Sequence, residues 1–342
     1  MAIEFFDGFE LMTHPWWASS NIGTPGRSGT KSLRSSGGGD YTARLNLPPS
    51  VKKVVGFAYW VDNTSSWTDG VSYPISFYSN GVQHITITFN ATGNILVRLG
   101  SNGGTVLATS TQTSTTAAWH YLEVAVTIHD TTGTVVVRMD GVGWINFTGD
   151  TRNGGTVTTI DQLNIGYRNA GAGYSSAHDD FYVLNETDAT ATTGRADNTF
   201  LGDVKVEMVQ PNADGATSQW VGSDGNSVQN YLLVDENPVN TTDYVGSATD
   251  GDRDLWGLPD IPASTLTVYA ILPSVYASKS DAGAASLKII YRDNAGTVAA
   301  GSSQALTTGW AWYLGGVLPT KPSGGAWTVA DINALQLGVE KA

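Results

Sequence analysis

The residues best placed for carboxylate chemistry are two acidic pairs, Asp179-Asp180 with Glu186 close behind, and Asp235-Glu236. Glycoside hydrolysis needs two carboxyl groups a fixed distance apart. A strand supplies them at same-face spacing, as in a Glu-x-Asp-x-x-Glu run, and no such run occurs. Neighbouring residues of a strand point to opposite faces, so neither pair is expected to share a substrate. Rim or turn carboxylates are the favoured reading. A third acidic group, Asp250-Gly-Asp252-Arg-Asp254, alternates like the start of a calcium loop. However, Leu255 stands where Gly is required and Ile261 where the bidentate Glu belongs. It reads as a solvated acidic turn, with calcium at Asp250, Asp252 and Asp254 as the alternative.

Acyl transfer finds no support. Cysteine is absent, and no serine has glycine two positions before and two after it. All five histidines (His14, His84, His120, His129 and His178) fall in the first 186 residues, leaving the rest without its commonest general base. His120 opens a strongly alternating run, where a structural position is expected. The stretch Gly23–Ser32 resembles a phosphate loop in composition, but its glycine, lysine and serine spacing fails. No catalytic residue is assigned, and an enzyme is not expected.

Aromatic rings offer binding chemistry instead. Of 11 Trp, Trp16 and Trp17 follow His14-Pro15, Trp67 precedes Asp69-Gly70, and Trp256 precedes Gly257. Rings in such turn-rich places could stack on sugar faces, with Asp179 accepting hydroxyl hydrogen bonds. Trp60, Trp119, Trp144, Trp220, Trp310, Trp312 and Trp327 lie in or beside apolar runs and read as core.

The elements that must carry these residues are strands. Forty glycines, abundant β-branched and aromatic residues and only 14% charged residues suit many short strands joined by tight turns. Alternation predicts strands at Val54–Trp60, Ile75–Tyr78, His84–Phe89, Ile95–Leu99, Tyr121–His129, Thr134–Met139 and Gln162–Tyr167. Asn80-Gly81 and Asp140-Gly141 supply hairpin turns. Further strands are predicted at Val204–Val209, Gln229–Val234, Thr267–Leu272, Ser286–Tyr291 and Leu335–Val339. One short helix is predicted after the capping box Thr328-Val-Ala-Asp331. The polar, aperiodic stretch 187–199 reads as a linker between domains 1–186 and 200–342.

Acidic residues outnumber basic ones by 31 to 18, a net charge of −13. Nucleic acid is therefore not an expected partner. No stretch approaches about 18 uninterrupted apolar residues, and the amino terminus lacks the basic and apolar regions of a leader, so membrane insertion is not expected.

A resemblance rests on Phe6-Asp-Gly-Phe9, Gly26-Arg-Ser-Gly-Thr-Lys-Ser-Leu-Arg34, Trp119–Val126, Val135–Gly141, Ile160–Gly166 and Asp179-Asp-Phe-Tyr-Val183, in that order. Residues 3–186 resemble the concanavalin A-like, or laminin G-like, jelly roll. The second half resembles the carboxyl-terminal region of bacteriophage virion proteins, through Leu201–Val206, Asp235–Val245 and Trp327–Gly338. These resemblances imply an all-β protein, a concanavalin A-like antiparallel jelly-roll sandwich followed by a second β-sandwich-like domain. They further imply a non-enzymatic virion structural protein, of tail fibre, tail tip or capsid decoration, exposed on the particle exterior. Its expected partners are other virion proteins, further copies of itself and a host-surface glycan. A free-standing carbohydrate-binding module or lectin is the alternative, and a divergent glycanase a third reading.

Overall fold

The computed structural model describes residues 3–11, 22–36, 41–62, 74–167, 175–185, 200–262 and 266–342. The expected linker 187–199 lies outside them. The described residues form two compact units, one ending at Met208 and the other beginning at Val209.

Among the described residues the first unit holds fourteen strands: β1 (Ile3–Asp7), β2 (Ile22–Gly23), β3 (Ser32–Ser36), β4 (Tyr41–Ser50), β5 (Lys52–Val61), β6 (Ile75–Ser79), β7 (Val82–Phe89), β8 (Ile95–Leu99), β9 (Val106–Thr109), β10 (Trp119–Thr127), β11 (Gly133–Met139), β12 (Val142–Gly149), β13 (Ile160–Tyr167) and β14 (Ser175–Asn185). Eight make one sheet, in the order β12-β11-β10-β5-β14-β3-β2, with β1 also on β14; six make the other, β4-β13-β6-β7-β8-β9. Every described pairing between them is antiparallel. β11 shows why the pattern folds this way: Val135, Val137 and Met139 are buried, while the residues between them are half-exposed. The inward rows of the two sheets meet in one apolar core that includes Val55, Phe57 and Leu122 from one side and Phe77, Ile87 and Leu163 from the other. Each such side chain stabilises by roughly 1.5–3 kcal/mol. Asn80-Gly81 and Asp140-Gly141 all take positive φ, as a two-residue hairpin turn matched to strand twist requires. The chain is thus an all-β protein of antiparallel jelly-roll type.

The second unit is built on a six-stranded antiparallel sheet, β15 (Ala213–Ser218), β18 (Arg253–Gly257), β24 (Gln336–Lys341), β20 (Ser286–Arg292) and β21 (Val298–Ala300), with β22 (Gln304–Ala305) beside β20. Two ribbons accompany it, β16 (Val221–Gly222) with β17 (Val245–Gly246), and β19 (Ser274–Ala277) with β23 (Ala311–Leu314). The helix α1 (Val329–Asn333) starts as expected: Thr328 and Asp331 exchange side-chain-to-backbone hydrogen bonds in a full capping box. Two of the predicted strands in this half form, at 286–292 and 336–341.

Three predicted strands do not form. Residues 204–209 are irregular, and 204–208 belong with the first unit, because side chains take their backbone groups: Val206 N–H donates to Asp180 Oδ1 (2.8 Å) and Arg27 donates to Val204 O (3.2 Å). Residues 230–233 make a 3-10 turn, whose buried Asn230 amide donates to Trp220 O at 3.0 Å. In 267–272 the pairing reduces to a single bridge, Ile271 to Leu318. Among the described residues no helix is long and apolar enough to cross a membrane.

Candidate functional site

β14 carries the acidic pair, and a bulge changes its geometry. The register against β5 shifts between Asp179 and Tyr182, and Asp180 takes φ +51°. Both carboxylates therefore reach the same dipeptide, contrary to the opposite-face expectation. Asp179 Oδ2 accepts from Arg27 N–H (2.6 Å) and Ser28 N–H (3.3 Å), and its Oδ1 from Asp180 N–H (2.8 Å). Asp180 accepts from the Arg27 guanidinium (2.9 Å), the Ser28 hydroxyl and Val206 N–H. Both carboxylates have no solvent exposure. Burial, then the Asp180 charge, pushes the Asp179 carboxyl up to about 8, against the pull of the N–H donors.

Further contacts make this cluster a lock between chain segments. Arg27 also pairs with Asp203 and lies 5.3 Å from the centre of the Tyr121 ring. Glu10 accepts from Thr30 N–H (2.9 Å), Lys31 N–H (3.0 Å) and the Thr30 hydroxyl (3.0 Å). A side chain at Gly8 would strike Val206 O. The motifs 6–10, 26–31 and 179–180 thus close on one another and on 203–206. As an expected glycan contact, Asp179 is corrected: it is sealed from solvent by the protein's own donors.

The described histidines divide similarly. His178 is buried against Phe57 and Tyr59 with Nε2 3.1 Å from Pro74 O, and burial lowers it to about 3, so it stays neutral. His120 is more suggestive: Nε2 lies 2.8 Å from Thr115 Oγ1 and Nδ1 2.7 Å from Asp140 Oδ2, the order of a nucleophile relay. Such a relay also needs N–H donors aimed at a developing oxyanion. Ala117 N–H, two residues from Thr115, is taken by Val61 O at 2.7 Å. Asp140 Oδ1 accepts Tyr121 N–H (2.8 Å), so this turn residue ties the hairpin end to the start of β10.

The calcium alternative does not assemble. Asp250 pairs with Lys341 (2.8 Å), Asp252 accepts from the Ser247 hydroxyl (2.7 Å), and buried Asp254 accepts from Asn230 (2.6 Å). Burial raises Asp254 to about 6. Three carboxylates facing three different partners hold no common ion, and no group of three or more metal-ligating side chains occurs among the described residues.

Trp16, Trp17 and Trp67 lie outside the described residues. Trp256 is corrected. It sits on β18 between β15 and β24, is 5% exposed and packs with Trp220 and Val339, so its faces cannot receive a sugar. Gly257, read as a turn, continues the strand, where a Cβ would meet Ala213 Cβ at 3.4 Å.

Among the described residues the aromatic side chains most open to solvent are Tyr244 and Trp310, of which Trp310 was expected in the core. In the ribbon, Tyr276 stands opposite Trp312 with centroids 5.1 Å apart. Trp310 stacks on Tyr276 at 5.7 Å and 15°, and Tyr244 meets Trp310 edge-on at 6.4 Å and 60°. Val275, next to Tyr276, packs instead toward the Trp220 and Trp256 cluster. Tyr244 is 47% exposed and Trp310 37%. The spacing Trp310-Ala-Trp312, one ring just before β23 and the next within it, was the available signal. In the first unit, a shallow groove of about 510 Å³ runs along Arg138, Trp144, Asn146 and Phe200.

No family model and no curated protein matches the chain. Solved structures similar to it include a sialidase (12% identity, 56% of this chain and 19% of that one, TM-score 0.38). Others are the alginate lyase Aly36B (10%, 54% and 98%, 0.37) and the carbohydrate binding module CBM66 from Bacillus subtilis (9%, 49% and 94%, 0.33). The chain spans about a fifth of the sialidase it matches. At these identities and scores the likenesses do not bear on ligand or chemistry.

Proposed function

We propose that this chain is a non-enzymatic binding protein, an exterior component of a bacteriophage particle that works by assembling with other particle proteins and copies of itself and by holding glycan on the host surface. The observation that carries the non-catalytic part is the fate of Asp179 and Asp180. The pair nearest to a hydrolytic constellation is buried and occupied by Arg27, Ser28 and Val206, and a glycosidase needs its two carboxyl groups open to substrate. The particle context rests on the sequence resemblance of 201–206, 235–245 and 327–338 to virion proteins. A free-standing carbohydrate-binding module is the second reading, favoured by the exposed Tyr244 and Trp310 rings.

Two measurements test the proposal. Mass spectrometry of washed, purified phage particles should find the chain at a stoichiometric copy number; its absence selects the free-standing module. Purified protein should release neither reducing ends from polysaccharides nor p-nitrophenol from p-nitrophenyl acetate. Turnover lost on His120→Ala would establish the Thr115, His120, Asp140 relay as catalytic and overturn the non-enzymatic reading.

A further inference from the structure

We propose that Tyr244, Trp310, Tyr276 and Trp312 form the face on which the second unit binds an uncharged polysaccharide, with successive sugar rings laid against the open aromatic surface. The inference rests on the reading above only in taking glycan as something held and not cleaved.

The support is geometric. Tyr276 braces Trp310 in a near-parallel stack, and Trp312 braces Tyr276 from the neighbouring strand. The indole is thereby held at a fixed angle before any ligand arrives, which lowers the ordering cost of binding. Val275 anchors the same ribbon to the Trp220, Trp256 and Val339 core from its other side. With 47% of Tyr244 and 37% of Trp310 open, rings suited to burial are left in water on a rigid support.

Size and charge identify the occupant. An aromatic side chain offers about 150–250 Å² in all, so the open parts of these two rings sum to roughly 200 Å². A stable protein interface needs about 800 Å² from each partner. A small molecule is ordinarily enclosed in a concave site, whereas a cluster of rings on an open surface suits a polymer that repeats a weak contact. Single-stranded nucleic acid and polysaccharide both stack on aromatic rings, and the first requires a basic track along its backbone. Here the chain carries a net charge of −13. Tyr244 follows Asp243 directly. Burial first, then the charges of Asp235 and Asp243, raises the Glu236 carboxyl, so three acidic groups share the loop that leads to Tyr244. Around Tyr244 that charge opposes phosphate and uronate polymers, and Lys279, tied to the loop before Trp310, gives its ammonium to Gly283 O, which leaves neutral glycans.

The test is native affinity electrophoresis of the full chain through gels containing hydroxyethylcellulose, xyloglucan, galactomannan or arabinoxylan, with alginate and a dT20 oligonucleotide as charged probes. At least one neutral polysaccharide should retard the protein. Trp310→Ala should weaken that retardation tenfold or more. Tyr244→Ala, which leaves the Tyr276 and Trp310 stack in place, should weaken it severalfold with an unchanged thermal transition. Migration unaffected by all four neutral polymers overturns the inference, as does retardation equal in wild type and both variants, or stronger retardation by alginate or dT20. Retardation independent of Trp310 would leave the non-enzymatic reading standing, and reducing-end release by a protein retarded through Trp310 would overturn that reading alone.

Discussion

Substituting Asp180→Asn should loosen the first unit by removing a charge that three donors converge on. The carboxylate accepts from Ser28, the Arg27 guanidinium and Val206 N–H with no solvent exposure. An amide keeps the shape but only one accepting oxygen, and its nitrogen then faces a donor. Breaking a buried ion pair costs about 3–5 kcal/mol. Arg27 retains Asp203, which places the expected loss near the lower end, about 3 kcal/mol. For a unit of this size, 1 kcal/mol shifts the midpoint by about 2–4 °C, so a fall of roughly 6–12 °C is expected. Differential scanning calorimetry measures it, with hydrogen exchange at β5 and β14 assigning the transition to this unit. The variant should also gain a tryptic cut after Lys205, because whichever way the amide turns its nitrogen faces either Val206 N–H or the Arg27 guanidinium that holds Asp203 and Val204 O. A midpoint within about 2 °C of wild type and no new cut would refute the claim that this carboxylate holds 203–206 in place.

Three further outcomes are expected. Asp179 is raised to about 8 by burial and by Asp180; such a group holds its proton more tightly folded than unfolded, so its contribution to stability is present below about pH 4 and lost as pH rises through 8. The urea stability of wild type relative to Asp179→Asn should therefore fall between pH 4 and 8, and a constant difference would mean that the N–H donors outweigh burial. Lys53 and Glu4 form a pair 2.5 Å apart with side chains 0% and 7% exposed; Glu4→Gln alone should cost about 3–5 kcal/mol, and Lys53→Met with Glu4→Leu far less, as measured by a double-mutant cycle. Thr328→Ala removes the capping box at α1 and should cost about 1 kcal/mol, read as faster hydrogen exchange over 329–335.

Where local pattern and local chemistry agree, the sequence was readable. β11 follows from alternation, β5 and β10 from largely apolar runs buried almost throughout, the hairpin turns from Asn80-Gly81 and Asp140-Gly141, and α1 from Thr328 and Asp331. Residues 204–209 alternate as well, yet their backbone bonds to the side chains of Asp180 and Arg27. The partner lies far away in the chain, so no window around Val206 contains the information.

The candidate site divides along the same line. The residue types of this chain, with no cysteine, few charges and many aromatic rings, determined by themselves an all-β protein with an acidic surface and rings available for stacking. Which rings face solvent was decided only by tertiary packing. Trp256 beside a glycine became core because β18 lies between two strands, and Trp310 beside apolar residues became surface because its ribbon buries the row that holds Val275. A strand has two faces of equal local propensity, and the choice between them belongs to whatever packs against it.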